Sequence, residues 1–178
     1  AKNTIAFTYG QSDRPADLAV IQNGQFKILT ELNEDLLAHR KLGEVNEIIY
    51  ESSFDGQEIQ GWYITPPNYD PKKQYPLILE IHGGPHLAYG PHFSAELQIM
   101  AAAGYIVFYD NYRGSESYGE DFALLLQYKY ASKEDFADHM SGIDALIDKG
   151  IIDENNLFIA GGSAGGIGTA YAIGLTNR

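Results

Sequence analysis

Residues 157–166 read Leu-Phe-Ile-Ala-Gly-Gly-Ser-Ala-Gly-Gly. A short apolar strand, Leu157–Ala160, runs into glycines and a serine, and a helix is expected to follow over Ala164–Leu175. Inside the stretch lies G-x-S-x-G, as Gly161-Gly162-Ser163-Ala164-Gly165. A strand that turns this sharply into a helix holds the serine at its tip in a strained conformation. Any Cβ next to that tip is expected to clash with the neighbouring strand or helix, which accounts for the glycines. The turn lifts the serine oxygen clear of the sheet and sets it near a helix N-terminus. There the Ala164 N–H and the helix dipole can stabilise a developing oxyanion. Ser163 is therefore the candidate nucleophile. Phosphate-binding loops are the competing reading, and they fail on residue identity. A P-loop needs lysine after its last glycine, but Ile167 follows Gly166. A dinucleotide fingerprint starting at Gly166-Ile167-Gly168 meets Tyr171 where Gly or Ala is required.

Upstream, His82-Gly83-Gly84-Pro85 directly follows an apolar strand, Leu77–Ile81. In an α/β-hydrolase the loop after this strand supplies the second oxyanion donor, because glycine lets the backbone approach the substrate oxygen. Gly84 is the expected donor, beside Ala164. His82 is expected to be structural rather than the catalytic base. Between the two motifs, a helix is predicted over Phe93–Ala103, a strand over Tyr105–Tyr109, helical structure over residues 118–130 and a helix from Ser132 to Lys149. In the last, Phe136, Met140, Ile143 and Ile147 form an apolar stripe. Strands alternating with helices predict a parallel sheet covered on both faces. Residues 1–45 differ. They read as three strands, Thr4–Tyr9, Asp17–Gln22 and Gln25–Leu32, with Asn23-Gly24 as a tight hairpin turn. A second hairpin, Asn46–Ser52 with Glu58–Thr65, opens the α/β part.

The composition suits a folded domain: of 178 residues, 44% are hydrophobic and 20% charged. The net charge of −12 argues against nucleic acid or an anionic membrane surface as a partner. The absence of cysteine excludes disulfides, thiolate catalysis and cysteine zinc sites. It leaves the compartment open, with cytoplasm preferred to periplasm. No apolar run approaches the roughly 20 residues of a membrane helix. No cofactor is called for, and no spacing of His and carboxylates suggests a metal.

Taken together, residues 46–178 resemble the catalytic domain of the prolyl oligopeptidase family, nearest to its acylaminoacyl-peptidase and dipeptidyl-peptidase members. The resemblance rests on an ordered series. Phe54-Asp55-Gly56, Gly61-Trp62-Tyr63 and Pro66 come first, then His82-Gly83-Gly84-Pro85. Asn111-Tyr112-Arg113-Gly114-Ser115, Tyr118-Gly119, Asp135 and Asp138 follow, and Gly161 to Gly166 close it. The resemblance implies the N-terminal part of an α/β-hydrolase fold, with residues 1–45 as the last strands of a β-propeller. It implies a serine peptidase acting on short peptides through an acyl-enzyme on Ser163. Ala164 departs from the family, where many members carry an aromatic residue, so one wall of the site is expected to be more open. In this fold the acid and the histidine follow the serine, yet only 15 residues come after Ser163. The chain is therefore expected to be a fragment, inactive alone, with the remainder of its own polypeptide or a second chain fragment as partner. A carboxylesterase or lipase of the same fold, and a catalytically inactive binding or scaffold protein, remain the alternatives.

Other polar residues have plainer readings. Ser132 to Asp135 forms a helix capping box. Asp138 and His139 are structural or solvated. Arg113 pins the loop after its strand, with a substrate-carboxylate role as the secondary reading. His86 and His92 are surface residues unless they line the site.

Overall fold

The computed structural model describes residues 3–178. Strands β1 (Thr4–Gln11), β2 (Arg14–Gln22) and β3 (Gln25–Ile28) form an antiparallel meander. Asn23 and Gly24 both take positive φ, 51° and 79°, as a two-residue turn matched to strand twist requires. β3 is shorter than the expected strand to Leu32. Asp17 ends it: its Oδ1 accepts from the Thr30 hydroxyl at 2.8 Å and from the Leu32 N–H at 2.9 Å. The buried carboxylate thus draws the backbone out of the ladder. A short helix, α1 (Glu34–Leu37), follows.

The second sheet has five strands: β4 (Val45–Glu51), β5 (Glu58–Ile64), β6 (Tyr75–Ile81), β7 (Ile106–Asn111) and β8 (Ile152–Gly161). Their order is β4-β5-β7-β6-β8. Helices α2 (Ala95–Ala102), α3 (Glu120–Ala123), α4 (Lys133–Asp148) and α5 (Ala164–Leu175) complete the chain, with a 3₁₀ turn at Leu124–Leu126. The sheet is mixed, not parallel throughout. β6, β7 and β8 run parallel because helical crossovers connect them. β4 and β5 are joined by a tight turn with Gly56 at φ 78°, so they pair antiparallel, and β5 meets β7 antiparallel as well.

β7 is buried along its whole length and serves both faces. Ile106 and Phe108 pack toward Ile143 and Leu146 of α4. Val107 and Tyr109 pack toward Leu97 and Ala101 of α2, together with Trp62 and Ile64. α4 comes so close to the sheet that a Cβ on Gly142 would stand 2.3 Å from the Phe108 ring.

One helical expectation needs correction, and a second needs an addition. Residues 118–130 hold only α3 and one 3₁₀ turn, because Tyr128 takes φ 62° and the chain turns inward at Tyr130. α4 forms where expected, with Ile143 of the stripe in the core and Met140 and Ile147 packed against it, and it also buries Asp135, Asp138, His139, Gly142 and Leu146. Polar residues face inward there because β7 and its following loop offer them partners.

Candidate active site

β8 ends at Gly161, and α5 begins at Ala164. Between them Ser163 stands exposed at φ 57°, ψ −118°. A non-glycine residue in this region costs on the order of 1–3 kcal/mol. The glycines on either side show what maintains it. A Cβ on Gly165 would lie 2.0 Å from the Ile81 carbonyl oxygen. One on Gly161 would lie 2.6 Å from the Gly165 carbonyl. These two glycines let α5 start directly against β6. Gly162, immediately beside the serine, has open space where its Cβ would be. Crowding therefore acts at positions 161 and 165, and the expectation of a clash at every position next to the tip is corrected.

The loop after β6 comes to the same place. A Cβ on Gly83 would stand 3.3 Å from Ser163 Cβ and 3.8 Å from its Oγ. Glycine leaves that space free above the hydroxyl. Gly84 follows at φ 120°, where a Cβ would lie 2.6 Å from the His86 nitrogen.

His82 shows how this loop is oriented. It is buried, stacked on Tyr112 at 4.6 Å and edge-on to Tyr89 at 5.0 Å. Its Nδ1 lies 2.6 Å from the Gly83 carbonyl oxygen, which can only accept, so Nδ1 carries the proton. Nε2 faces the Ser115 hydroxyl at 2.9 Å. Burial lowers the His82 pKa, which favours the neutral ring. In a trans-type amide plane the N–H points opposite to the C=O. Holding the Gly83 carbonyl toward the imidazole therefore turns the Gly84 N–H away from it. Ala164, first residue of α5, has an N–H without an intrahelical partner. Of the two candidate oxyanion donors, Ala164 directly follows the serine and Gly84 follows Gly83, the residue set against it.

Both ring nitrogens of His82 are engaged, so it is not poised as a base for Ser163. His139 is engaged too: its Nδ1 lies 2.9 Å from Asp110 Oδ1, and Tyr50 donates to the same carboxylate at 2.7 Å. Burial pulls the His139 pKa down, but the Asp110 carboxylate outweighs it and holds the ring above its usual value. His86 is exposed on the loop, and it is its backbone that lies against Gly84. His92 lines a surface groove with Tyr9, Arg14 and Pro15. Among the described residues, no histidine hydrogen-bonds the Ser163 hydroxyl.

Arg113 lies away from this chemistry. Only 1% of it is exposed. Its guanidinium grips Asp138 through Nε and Nη2 at 2.9 Å each, and Asp55 through Nη1 at 3.0 Å and Nη2 at 2.8 Å. Ser52 and Glu134 take further contacts, and Phe54 covers the guanidinium at 5.1 Å. With its donors committed to internal partners, the secondary reading of Arg113 as a carboxylate-binding group is withdrawn. Asp138 is fully buried and not solvated. Asp135 caps α4, its Oδ1 accepting from the Ser132 N–H at 2.7 Å. Among the described residues no group of three His, Asp or Glu side chains could hold a metal ion.

Sequence analysis placed Gly83, Tyr112 and Ser115 in motifs without giving them a role, and it did not single out Tyr130. Tyr112 donates to the His82 carbonyl at 3.2 Å, and Tyr130 donates to the Ala164 carbonyl. The sequence carries no local signal for either tyrosine, because each bond spans 30 or more positions.

Fold and site thus define an α/β protein with a serine-tipped strand–helix turn and a glycine loop set against the serine. A family model described as the prolyl oligopeptidase family matches residues 91–178. The chain is 40% identical to Uncharacterized peptidase YuxL of Bacillus subtilis (strain 168) over 168 residues, covering 93% of the chain and 25% of that protein. Among solved structures, Pyrococcus horikoshii acylaminoacyl peptidase superposes with a TM-score of 0.89 at 32% identity, over 99% of this chain and 28% of that one. An acylaminoacyl peptidase in complex with Z-Gly-Gly-Phe-chloromethyl ketone superposes with a TM-score of 0.90 at 32% identity, over the same shares of the two chains. The chain belongs to the prolyl oligopeptidase family. It spans about a quarter of the length of the relatives it matches.

Proposed function

We propose that Ser163 is the nucleophile of a serine peptidase whose α/β part is the beginning of an α/β-hydrolase catalytic domain. Residues 1–45 would be the last strands of a β-propeller that restricts access to short peptides. The observation that carries this reading is the contact between the strained, exposed Ser163 and the glycine loop at Gly83. Ser163 Oγ attacks the peptide carbonyl carbon, and a histidine from polypeptide beyond these residues accepts its proton. The carbonyl oxygen becomes an oxyanion bound by the Gly84 and Ala164 N–H groups. Collapse breaks the C–N bond, the histidine passes its proton to the leaving amine, and water hydrolyses the acyl-enzyme. The complex of a similar structure with a peptide chloromethyl ketone supports a peptide as the substrate class.

The test is intact mass of the full-length protein with a fluorophosphonate probe, beside its Ser163→Ala variant. One adduct that disappears in the variant is expected. An adduct that survives the substitution would place the nucleophile elsewhere. The isolated 178-residue chain should not label, since no histidine is hydrogen-bonded to its serine. Turnover of p-nitrophenyl esters without turnover of peptide anilides would move the reading to an esterase.

A further inference from the structure

We propose that Tyr112 and Tyr130 are positioning residues, a brace that fixes the separation of the two oxyanion donors by holding the carbonyls of His82 and Ala164. This rests on the reading of Ser163 as the nucleophile.

The need for a brace follows from the glycines. Gly83, Gly161 and Gly165 must lack side chains so that loop, strand and helix can meet at the serine. The same lack removes the packing that would otherwise hold these segments, and glycine gives the backbone more freedom to lose. The first turn of α5, Ala164-Gly165-Gly166, carries a single methyl group. The Gly83-Gly84 segment carries none. Oxyanion stabilisation nonetheless depends on donors fixed before the charge develops.

Two hydroxyls supply what the glycines cannot. Tyr130 donates to the Ala164 carbonyl, which ties it to the first turn of α5. A Cβ on Gly168 would stand 3.2 Å from that hydroxyl, so the fit is close. Tyr112 donates to the His82 carbonyl at 3.2 Å and stacks on the His82 ring. The Tyr112 and Tyr130 rings lie 6.2 Å apart, inclined at 33°. One continuous contact therefore runs from the loop before Gly84 to the turn after Ser163. Burial raises the pKa of both phenols, so both keep their protons and remain donors at neutral pH.

The experiment compares Tyr130→Phe, Tyr112→Phe and the double variant of the full-length protein with Tyr109→Phe. Tyr109 has a buried hydroxyl without a partner and makes no contact in the brace, so it serves as the control. Tyr130→Phe is expected to lower kcat about tenfold, as a small misplacement of donors does, with KM within about twofold. Affinity for a peptide boronic acid, which forms a tetrahedral adduct, should fall by the same factor. Tyr112→Phe should do less, and the double variant should lose less than the product of the two. Gly168→Ala, which presses on the Tyr130 hydroxyl while favouring the helix, covers the case in which Tyr130→Phe does not fold, and should also lower kcat. The brace is overturned if kcat of Tyr130→Phe stays within twofold of the parent, or if Tyr109→Phe loses as much. Ser163→Ala separates the two readings. Retained turnover there would sink the nucleophile assignment, whereas lost turnover with an unaffected Tyr130→Phe would sink the brace alone.

Discussion

The surroundings of Arg113 and of Ser163 are built on opposite terms. Arg113 is buried, its guanidinium donors are taken by Asp138, Asp55, Glu134 and Ser52, and its conformation is held from several sides. Ser163 is exposed, accepts a backbone conformation that few non-glycine residues adopt, and has a hydroxyl without a hydrogen-bond partner among the described residues. The first arrangement joins β7, α4 and the β4–β5 turn. The second leaves open what a reacting group needs left open. Stability and chemistry are thus separated in space, and substitutions should separate them in measurement.

The largest effect is expected at the saturated cluster. Arg113→Met leaves Asp138, a fully buried carboxylate, without its cation. Breaking a buried pair in this way costs about 3–5 kcal/mol. Chemical denaturation should show that loss, and Arg113→Met with Asp138→Leu should recover part of it. A double variant no better than the single one would mean that Asp55 and Ser52, not the buried charge, carry the cluster. Gly165→Ala comes next. Its Cβ would overlap the Ile81 carbonyl at 2.0 Å, and backbone cannot swing aside as a side chain can. A loss of about 3 kcal/mol is expected, at the upper end for overpacking. The same substitution at Gly162 meets open space and should leave the denaturation midpoint nearly unchanged.

These two regions also differ in how far the sequence foretold them. The Ser163 turn is local. Apolar strand, glycines, serine and helix follow one another, and α5 occupies Ala164–Leu175 as expected. The capping box of α4 at Ser132 and Asp135 is local as well. The Arg113 cluster joins residues separated by 21 to 61 positions. Nothing near Asp138 or His139 in the sequence says that they face inward, since their partners Arg113 and Asp110 come from the β7 region. The apolar period of α4 therefore found Met140, Ile143 and Ile147 but not the buried polar residues beside them. The antiparallel entry of β5 beside β7 is likewise a pairing across distance, and so is the bond from Tyr130 to Ala164. Glycine spacing could announce a close approach at the serine, but not which side chains would steady it.

Glu80 lies between these two regimes. It is half-buried on β6, and its Oε2 has no partner among the described residues. Burial, then Glu96 and Asp110, push its pKa up to about 7. Because the folded value is the raised one, the cost of ionising Glu80 is absent below its unfolded pKa near 4.5. It grows as pH rises toward 7 and stays constant above. Glu80→Gln should therefore stabilise the protein at pH 8 by about 1–2 kcal/mol, allowing for solvent screening, and leave it little changed at pH 4. Equal effects at both pH values would show that shape, not charge, sets the cost at this position.

The smallest expected effect tests the comparison most directly. If Ser163 is strained, Ser163→Gly should raise stability, because glycine enters positive φ without a Cβ penalty. The relief of on the order of 1–3 kcal/mol is offset in part by the greater freedom of glycine in the unfolded chain, about 0.5–1 kcal/mol. A net gain of about 1 kcal/mol in chemical denaturation is expected, together with loss of probe labelling. Ser163→Ala removes the hydroxyl but keeps the Cβ, so it should lose labelling without that gain. A stability increase confined to glycine would locate the strain in the backbone at Ser163, which the fold sustains for the sake of the hydroxyl. An equal increase in both variants would instead trace the cost to the hydroxyl itself, and the contrast with Arg113 would then rest on hydrogen bonding alone.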